Sequence, residues 1–345
     1  VIPIKNLYYM LSYAFQILNE QGYKKLATEE FDNAGDLCAA ILIRGISNQL
    51  KRGLGREYIS ETETIAAIRG KIEINESIKN QTMIRNQMTC TYDEFSVDSA
   101  LNRIIKSTVM LLIKSDISKQ RKKELRKLMV FFADVSLVDV YAINWSVNYD
   151  RNNQTYRLLI TICHLVVKGL IQTKSDGSVK MMDFLDEQRM CHLYEKFILE
   201  YYKKHYYPQI TASASQIAWA LDDGIGTMLP TMQSDIMLCQ KKGDNNKTLI
   251  IDAKYYAHTT QVQYDIHTLH SNNLYQIFTY VKNKATKGGE VAGMLLYAKT
   301  DEEIYPNNEY QMSGNTITVR TLDLNLTFEE IAAQLNGIAQ NYFDI

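Results

Sequence analysis

The fold turns on residues 249–256, which read Leu249–Ile250–Ile251–Asp252–Ala253–Lys254–Tyr255–Tyr256. Three consecutive large apolar residues after a turn-rich stretch are the pattern of a buried strand. This one ends in an acid, a small residue and a lysine. Side chains alternate faces along a strand, so Asp252 and Lys254 point the same way. A carboxylate beside an ammonium at a strand end can hold a cation and a phosphate together. The pair alone proves little. With roughly 6% of each charged residue type, a chain of this length carries an Asp-x-Lys about once by chance. The alternative is a cross-strand salt bridge at a sheet edge, which stabilises weakly. The surroundings have to separate the two readings.

Upstream, Asp235 lies in Ser234–Asp235–Ile236–Met237–Leu238, on a strand predicted over 226–240 that passes Pro230, a point where it can bend. The turn Lys241–Asn246, with Gly243 and two asparagines, joins that strand to one over 247–256 as a hairpin. The hairpin brings Asp235 and Asp252 to one end of a sheet. Two carboxylates with the backbone carbonyl of Ala253 make a hard oxygen site suited to Mg²⁺. Lys254 then stabilises charge on the phosphate, a task no carboxylate can perform, or orients the attacking water. Downstream, a helix over about Asn272–Asn283 sets Gln276 and Tyr280 four apart on one face, with surface polar contacts as their ordinary explanation. Glu195, beside the apolar stripe of a helix predicted over Phe184–Tyr202, is a candidate third oxygen, and an exposed helical glutamate explains it as well. His258, His267 and His270 do not make a zinc site. No cysteine is near them, and the five cysteines form no CxxC pair.

Further strands are expected over 291–298 and 310–323, and a closing helix over Phe328–Phe343. The order helix, strands, helix, strand predicts an α/β layer on a mixed sheet for residues 151–345. Residues 1–150 read as mainly helical. Asn6 is placed as N-cap of a helix Leu7–Leu18, followed by helices Leu37–Leu50, Leu101–Ile113 and Lys119–Phe132, with a small β element around Thr62–Ile74 and Met88–Phe95. The polar stretch Asn144–Asn153 marks the expected domain boundary. The whole is therefore an α+β chain with an α/β second half.

Composition narrows the function. An apolar fraction of 46%, 23 tyrosines and only 4 prolines describe an ordered globular protein, and 345 residues suffice for two cores. The net charge of −1, from 38 basic and 39 acidic residues, gives no global footprint for nucleic acid. Local patches must carry any such contact. The strongest is Lys119–Gln120–Arg121–Lys122–Lys123, continuing to Arg126 and Lys127, for which a solvated helix face is the commoner explanation. No signal peptide opens the chain. The longest apolar stretch, Leu158–Ile171, contains His164 and Lys168 and is too short and polar to span a bilayer. A soluble cytoplasmic protein is expected. No GxxxxGK[ST] loop is present, which argues against a P-loop motor.

Asp235, then Asp252–Ala253–Lys254, then Gln276–Ile277–Phe278–Thr279–Tyr280, resembles the PD-(D/E)xK nuclease pattern, and the Gln-x-x-x-Tyr element resembles its RecB-like branch. Ser234 stands where the motif name has proline. Four further islands are similar to McrC proteins: Ile2–Pro3–Ile4–Lys5–Asn6–Leu7–Tyr8–Tyr9–Met10–Leu11, Ile68–Arg69–Gly70–Lys71–Ile72–Glu73, Asn102–Arg103–Ile104–Ile105–Lys106–Ser107, and His270–Ser271–x–Asn273–Leu274–Tyr275–Gln276. They span nearly the whole chain in family order. The resemblance implies a Mg²⁺-dependent DNA endonuclease subunit whose PD-(D/E)xK domain uses Asp235, Asp252, Lys254, Gln276 and Tyr280. It implies a partner of the McrB kind, an AAA+ GTPase that binds the GTP, delivers double-stranded DNA with modified cytosines and docks on the N-terminal half. A non-catalytic activator of such a partner, and a stand-alone repair nuclease of the same fold, are the alternatives.

Overall fold

A computed structural model describes residues 2–345 apart from 16, 17, 19–22, 24, 25, 27, 152, 168–170, 174–178, 182–186, 225, 243, 244, 257–259, 264, 265, 287 and 300–304. The chain divides into two compact units. One comprises Val1–Ala34 with Asp183–Ile345, the other Gly35–Met182. This differs from the boundary expected near residue 150. The expected boundary stretch lies inside the second of these units, where Asp150 and Asn153 exchange side-chain-to-backbone bonds. It leads into the helix Tyr156–Leu165, whose Tyr156 hydroxyl donates to Asn102 and accepts from the Gly55 N–H.

In the unit Gly35–Met182, the helices Ala34–Arg52, Ala100–Lys114, Lys119–Met129 and Tyr156–Leu165 surround buried Leu37, Ile41, Ile105, Val109, Leu125 and Ile162. Ser99 and Ser118 cap two of them through N–H bonds from the third helical residue. The small β element is a three-stranded antiparallel sheet, with Met88–Ser96 between Glu57–Ile65 and Lys71–Ile72. Gly70 permits it: φ is +70°, and a Cβ there would stand 2.4 Å from the Thr91 carbonyl oxygen.

The other unit begins with helix α1, Ile4–Ala14. Asn6 is not its N-cap. The helix starts after Pro3, and Asn6 is a buried residue of its first turn. Its Nδ2 donates to the carbonyls of Leu324 and Leu326 at 2.8 and 2.7 Å, while Tyr9 stacks on Phe328 and Tyr13 meets Phe197 edge-on. These contacts assign the N-terminal segment to this unit. Tyr9 and Tyr13 are therefore packing residues. Then follow α2 (Glu187–Tyr206), β1 (Thr211–Ser213), β2 (Ile236–Lys242), β3 (Asn245–Lys254), α3 (Ser271–Ala285), β4 (Glu290–Ala298), β5 (Asn308–Met312), β6 (Asn315–Leu322) and α4 (Phe328–Phe343).

Among the described residues, β1–β6 form one six-stranded sheet in the order β5-β6-β4-β3-β2-β1. The β3–β4 and β4–β6 pairs are parallel, the others antiparallel; the sheet is mixed, as expected. Parity sorts its faces. Ile250 of β3 and Leu295 and Tyr297 of β4 share a core with Ile277 and Val281 of α3. Leu249 and Met294 point to the other face, where the Tyr342 hydroxyl of α4 bonds the Thr248 carbonyl and α2 packs on β1 and β3. Gly293 lets α3 approach: a Cβ there would lie 2.7 Å from Val281 Cγ2 and 2.8 Å from Ile277 Cγ1.

Some strand expectations need correction. The run 226–240 is broken: Met232–Gln233 pairs with Gln216–Ile217, and β2 starts only at Ile236. The run 310–323 is a hairpin turned by Ser313 and Gly314, both at positive φ. The edge strand β1 and the hairpin Thr260–Gln263 with Ile266–Leu269 carry too little periodicity to be read. Among the described residues no helix is long and apolar enough to cross a membrane.

Candidate active site at the end of strand β3

The site forms where the β2–β3 ladder stops. Pairing runs as far as Ile236 opposite Ile251. Beyond it, the Asp235 carboxylate takes over the ladder position and accepts the Ala253 N–H at 3.0 Å. In an extended strand the N–H and C=O of one residue leave the same edge, so the Ala253 carbonyl faces that side too. Ser234, buried, fixes the bend: its N–H and Oγ both donate to the Ser215 carbonyl, at 3.0 and 3.2 Å. A serine can thus serve where the motif name has proline.

Asp252 points from β3 toward α3 and is 1% exposed. The Lys254 ammonium lies 2.8 Å from Oδ2. That contact is an ion pair by distance only, because neither Asp252 oxygen has a partner in hydrogen-bonding geometry. Lys254 Nζ also donates to Gln276 Oε1 at 3.3 Å, and Gln276 Nε2 donates to the Tyr280 hydroxyl at 2.9 Å. Asp252, Lys254, Gln276 and Tyr280 therefore form one continuous polar chain, with Asp235 at its far side.

Burial pushes the Asp252 carboxyl up to about 7; the Lys254 charge opposes this and the Asp235 charge adds to it. Asp235 is raised as well, by burial first and then by the Glu195 charge. Burial works against the Lys254 ammonium, but the two aspartates outweigh it and hold Lys254 above its ordinary value. Two buried acids that resist ionisation beside a lysine that keeps its proton are an arrangement that additional positive charge would relax.

The donor set suits a hard divalent cation: two carboxylates and a backbone carbonyl, with both Asp252 oxygens bare of hydrogen bonds. Glu195 stands beside this set. It shares a cavity of about 290 Å³ with Asp235, lined also by Lys196, Leu199 and Ser234. Its own oxygens are engaged, Oε1 by Cys191 Sγ at 3.1 Å and Oε2 by His192 Nδ1 at 3.3 Å. Among the described residues no three His, Cys, Asp or Glu side chains are grouped to hold a metal by themselves, so an ion here would rest on fewer side chains and backbone. His258 and the His267 side chain lie outside the described residues. His270 stands at the N-cap of α3 without a capping bond, its ring 5.3 Å from that of Tyr256.

Sequence reading missed the layer behind Lys254. Asn273, buried, donates to the Tyr297 hydroxyl at 3.0 Å and accepts from Tyr256 at 3.4 Å. The signals were its place one helical turn before Gln276 and its position in the island His270–Ser271–x–Asn273–Leu274–Tyr275–Gln276. A cavity of about 390 Å³ between β4–β6 and α4, larger than the one beside Asp235, is on the opposite face. It holds no paired carboxylates, so chemistry and not size singles out the end of β3.

A family model described as McrBC 5-methylcytosine restriction system component matches residues 4–298. The Type IV methyl-directed restriction enzyme EcoKMcrBC of Escherichia coli (strain K12) is 30% identical over 349 residues, covering 99% of this chain and 98% of that protein. In fold, the chain is similar to one in the refined half-complex from the tetradecameric assembly of Thermococcus gammatolerans McrB AAA+ hexamers with bound McrC. That match has a TM-score of 0.53 and 18% identity, over 97% of this chain and 76% of the other.

Proposed function

The chain belongs to the family of McrBC 5-methylcytosine restriction system components, and from that premise we propose that it is the Mg²⁺-dependent DNA endonuclease subunit, of PD-(D/E)xK type. The observation that carries this reading is Asp252: a carboxylate sealed from water at the end of β3, with the Lys254 ammonium 2.8 Å from Oδ2 and Asp235 held beside it on the Ala253 N–H.

Asp235, Asp252 and the Ala253 carbonyl would hold Mg²⁺, and the ion, when bound, would supply positive charge to polarise the scissile phosphodiester. Lys254 would stabilise the negative charge that grows on the phosphate during hydrolysis. Gln276, held by Tyr280, fixes the ammonium through its Oε1. Glu195 lines the approach to Asp235 and can accept a water on that side.

We assign the GTP-binding role to an McrB-like AAA+ partner. McrC of Thermococcus gammatolerans is bound to McrB AAA+ hexamers, and this chain has no P-loop sequence of its own. The relative's description as methyl-directed supports DNA with modified cytosines as the substrate. Of the N-terminal half, residues 1–150, the part outside the unit that holds the site, residues 35–150, is the proposed docking region.

The test combines the chain with the AAA+ partner, GTP, Mg²⁺ and methylated duplex DNA. Asp252→Ala and Lys254→Ala should each abolish cutting and leave stimulation of GTP hydrolysis unchanged. Cleavage by the Asp252→Ala protein would overturn the site. Cleavage by the wild type without a GTPase would favour a stand-alone nuclease, and no cleavage under any partner condition would favour an activator.

A further inference from the structure

The helix Lys119–Met129 concentrates positive charge that the chain as a whole lacks. It carries Lys119, Arg121, Lys122, Lys123, Arg126 and Lys127 against Glu124 alone. Its inner side is fixed. Leu125 is fully buried, Arg121 reaches Asp36 at 3.9 Å and Glu124 at 3.7 Å, and Asp36 also accepts the Ser118 N–H at 3.0 Å where the helix starts. These contacts set the rotation of the helix about its axis. At about 100° per residue, Lys119, Lys122, Lys123, Arg126 and Lys127 fall within an arc of about 140° on the far side, running about 12 Å along the axis. Lys122 is half-buried and the other four are exposed. Among the described residues none of the five pairs with a carboxylate.

Stability of the helix does not account for the arc. Lys119–Lys123, Lys122–Arg126 and Lys123–Lys127 are like charges four residues apart, which repel. The first turn holds no acid, so Lys119 and Lys122 also oppose the helix dipole, whereas Arg126 and Lys127 in the last turn suit it. A polyanion lying along the arc relieves both effects.

We infer that this arc is a binding surface for the phosphate backbone of duplex DNA. Contact with phosphates positions a duplex without reading its sequence, the task left to a nuclease subunit whose target is selected elsewhere. The inference rests on the nucleic-acid reading above but not on the cutting chemistry. An anionic membrane is the lesser fit. A helix bound at a lipid surface turns a continuous apolar face outward; here Leu125 faces inward, the arc within Lys119–Met129 has no apolar residue, and only Val130 and Phe131, just beyond its end, are exposed.

The test measures fluorescence anisotropy of a labelled, unmethylated duplex with the full chain, in EDTA to prevent cutting, over a range of KCl concentrations. Each lost phosphate contact lowers the salt dependence of log affinity by about 0.9, so reversing four charges (K119E, K123E, R126E, K127E) should lower it by roughly 3 to 4. Affinity at low salt should fall at least about tenfold, with an unchanged circular dichroism spectrum. Lys→Gln and Arg→Gln changes at the same positions should give the same direction with a smaller loss. Reversal at four exposed cations elsewhere in the same unit (K51E, R52E, K79E, R85E) should leave the slope close to wild type. A wild-type chain that binds no duplex, or equal losses from the two sets, would overturn the assignment. So would a variant that keeps DNA binding but loses anionic phosphatidylserine vesicles. Because cutting is not read, failure of the nuclease reading would appear separately, as intact binding without cleavage.

Discussion

Replacing Asp252 by Asn in the metal-free protein should remove a pH-dependent penalty that the wild type carries. Burial pushes the carboxyl up to about 7, against about 3.9 in the unfolded chain. A raised carboxyl pKa means the folded state prefers the protonated form. The stabilising contribution is therefore complete below about pH 3.9 and is lost as pH rises through about 7. Between about pH 5 and pH 8, linkage gives a loss of roughly 2–3 kcal/mol. Asparagine has nearly the same shape and does not titrate, so the stability difference, variant minus wild type, should grow by that amount over the same interval. Titrating groups that do not interact with Asp252 cancel in the difference; Asp235 and Lys254, which face it, add their own smaller change. The chain has 2 tryptophans, Trp145 in the unit Gly35–Met182 and Trp219 in the unit that holds the site. In a Trp145→Phe background, urea unfolding followed by Trp219 fluorescence in EDTA reports the right unit. Saturating Mg²⁺ should flatten the wild-type slope, because the cation binds the ionised carboxylates. A difference that stays level within about 0.5 kcal/mol, where linkage requires roughly 2–3, would show that Asp252 is well solvated. The argument from its bare oxygens would then fail.

Gly293→Ala puts a methyl against Val281 and Ile277 and should cost about 1–3 kcal/mol by forcing α3 off the sheet; urea unfolding measures it, and the cutting rate should fall with it as Gln276 moves. Asp98→Asn removes the negative partner of a bidentate pair with Arg103 (2.8 and 2.7 Å) that also accepts the Ser136 N–H. We expect a loss of roughly 1.5–3 kcal/mol at neutral pH. The Arg103 guanidinium holds the Asp98 carboxyl well below the usual range, so this contribution is present above about pH 3.9 and disappears as pH falls through the folded value. Acid titration of stability should therefore separate variant from wild type at neutral pH and converge in strong acid. Gln276→Ala should slow cleavage roughly 10- to 100-fold, the range for a residue that orients a functional group. Tyr280→Phe should do less, as it leaves Gln276 Oε1 in place; single-turnover kinetics with the AAA+ partner distinguish the two.

Much of the site was legible because it rests on local rules. Asp252 and Lys254 share a face through strand alternation, and Gln276 and Tyr280 through helical spacing; both relations survive folding unchanged. The hairpin turn then determined that Asp235 would meet the end of β3. Legibility failed where the deciding partner lies far along the chain. Asn6 has the side chain of a cap, but its bonds go to carbonyls more than 300 residues away. No local pattern contains that information, and the first helix was consequently placed with the wrong unit. Asn102 and Gly70, in two of the family-like islands, likewise serve structure. Asn102 ties Gly55, Val97 and Tyr156 together, and Gly70 admits the backbone at Thr91.

From residues alone came most of the helices, the central strands, the mixed sheet and the identity of the acid–lysine pair, because periodicity and turn chemistry act over a few residues. Tertiary structure alone decided that Asp252 is sealed from water, that its oxygens lack hydrogen bonds, and that Glu195 stands beside Asp235 with its own partners. Those properties depend on the dielectric and geometry made by β2, α2 and α3 packing around one strand end, and that environment exists only once the sheet has closed.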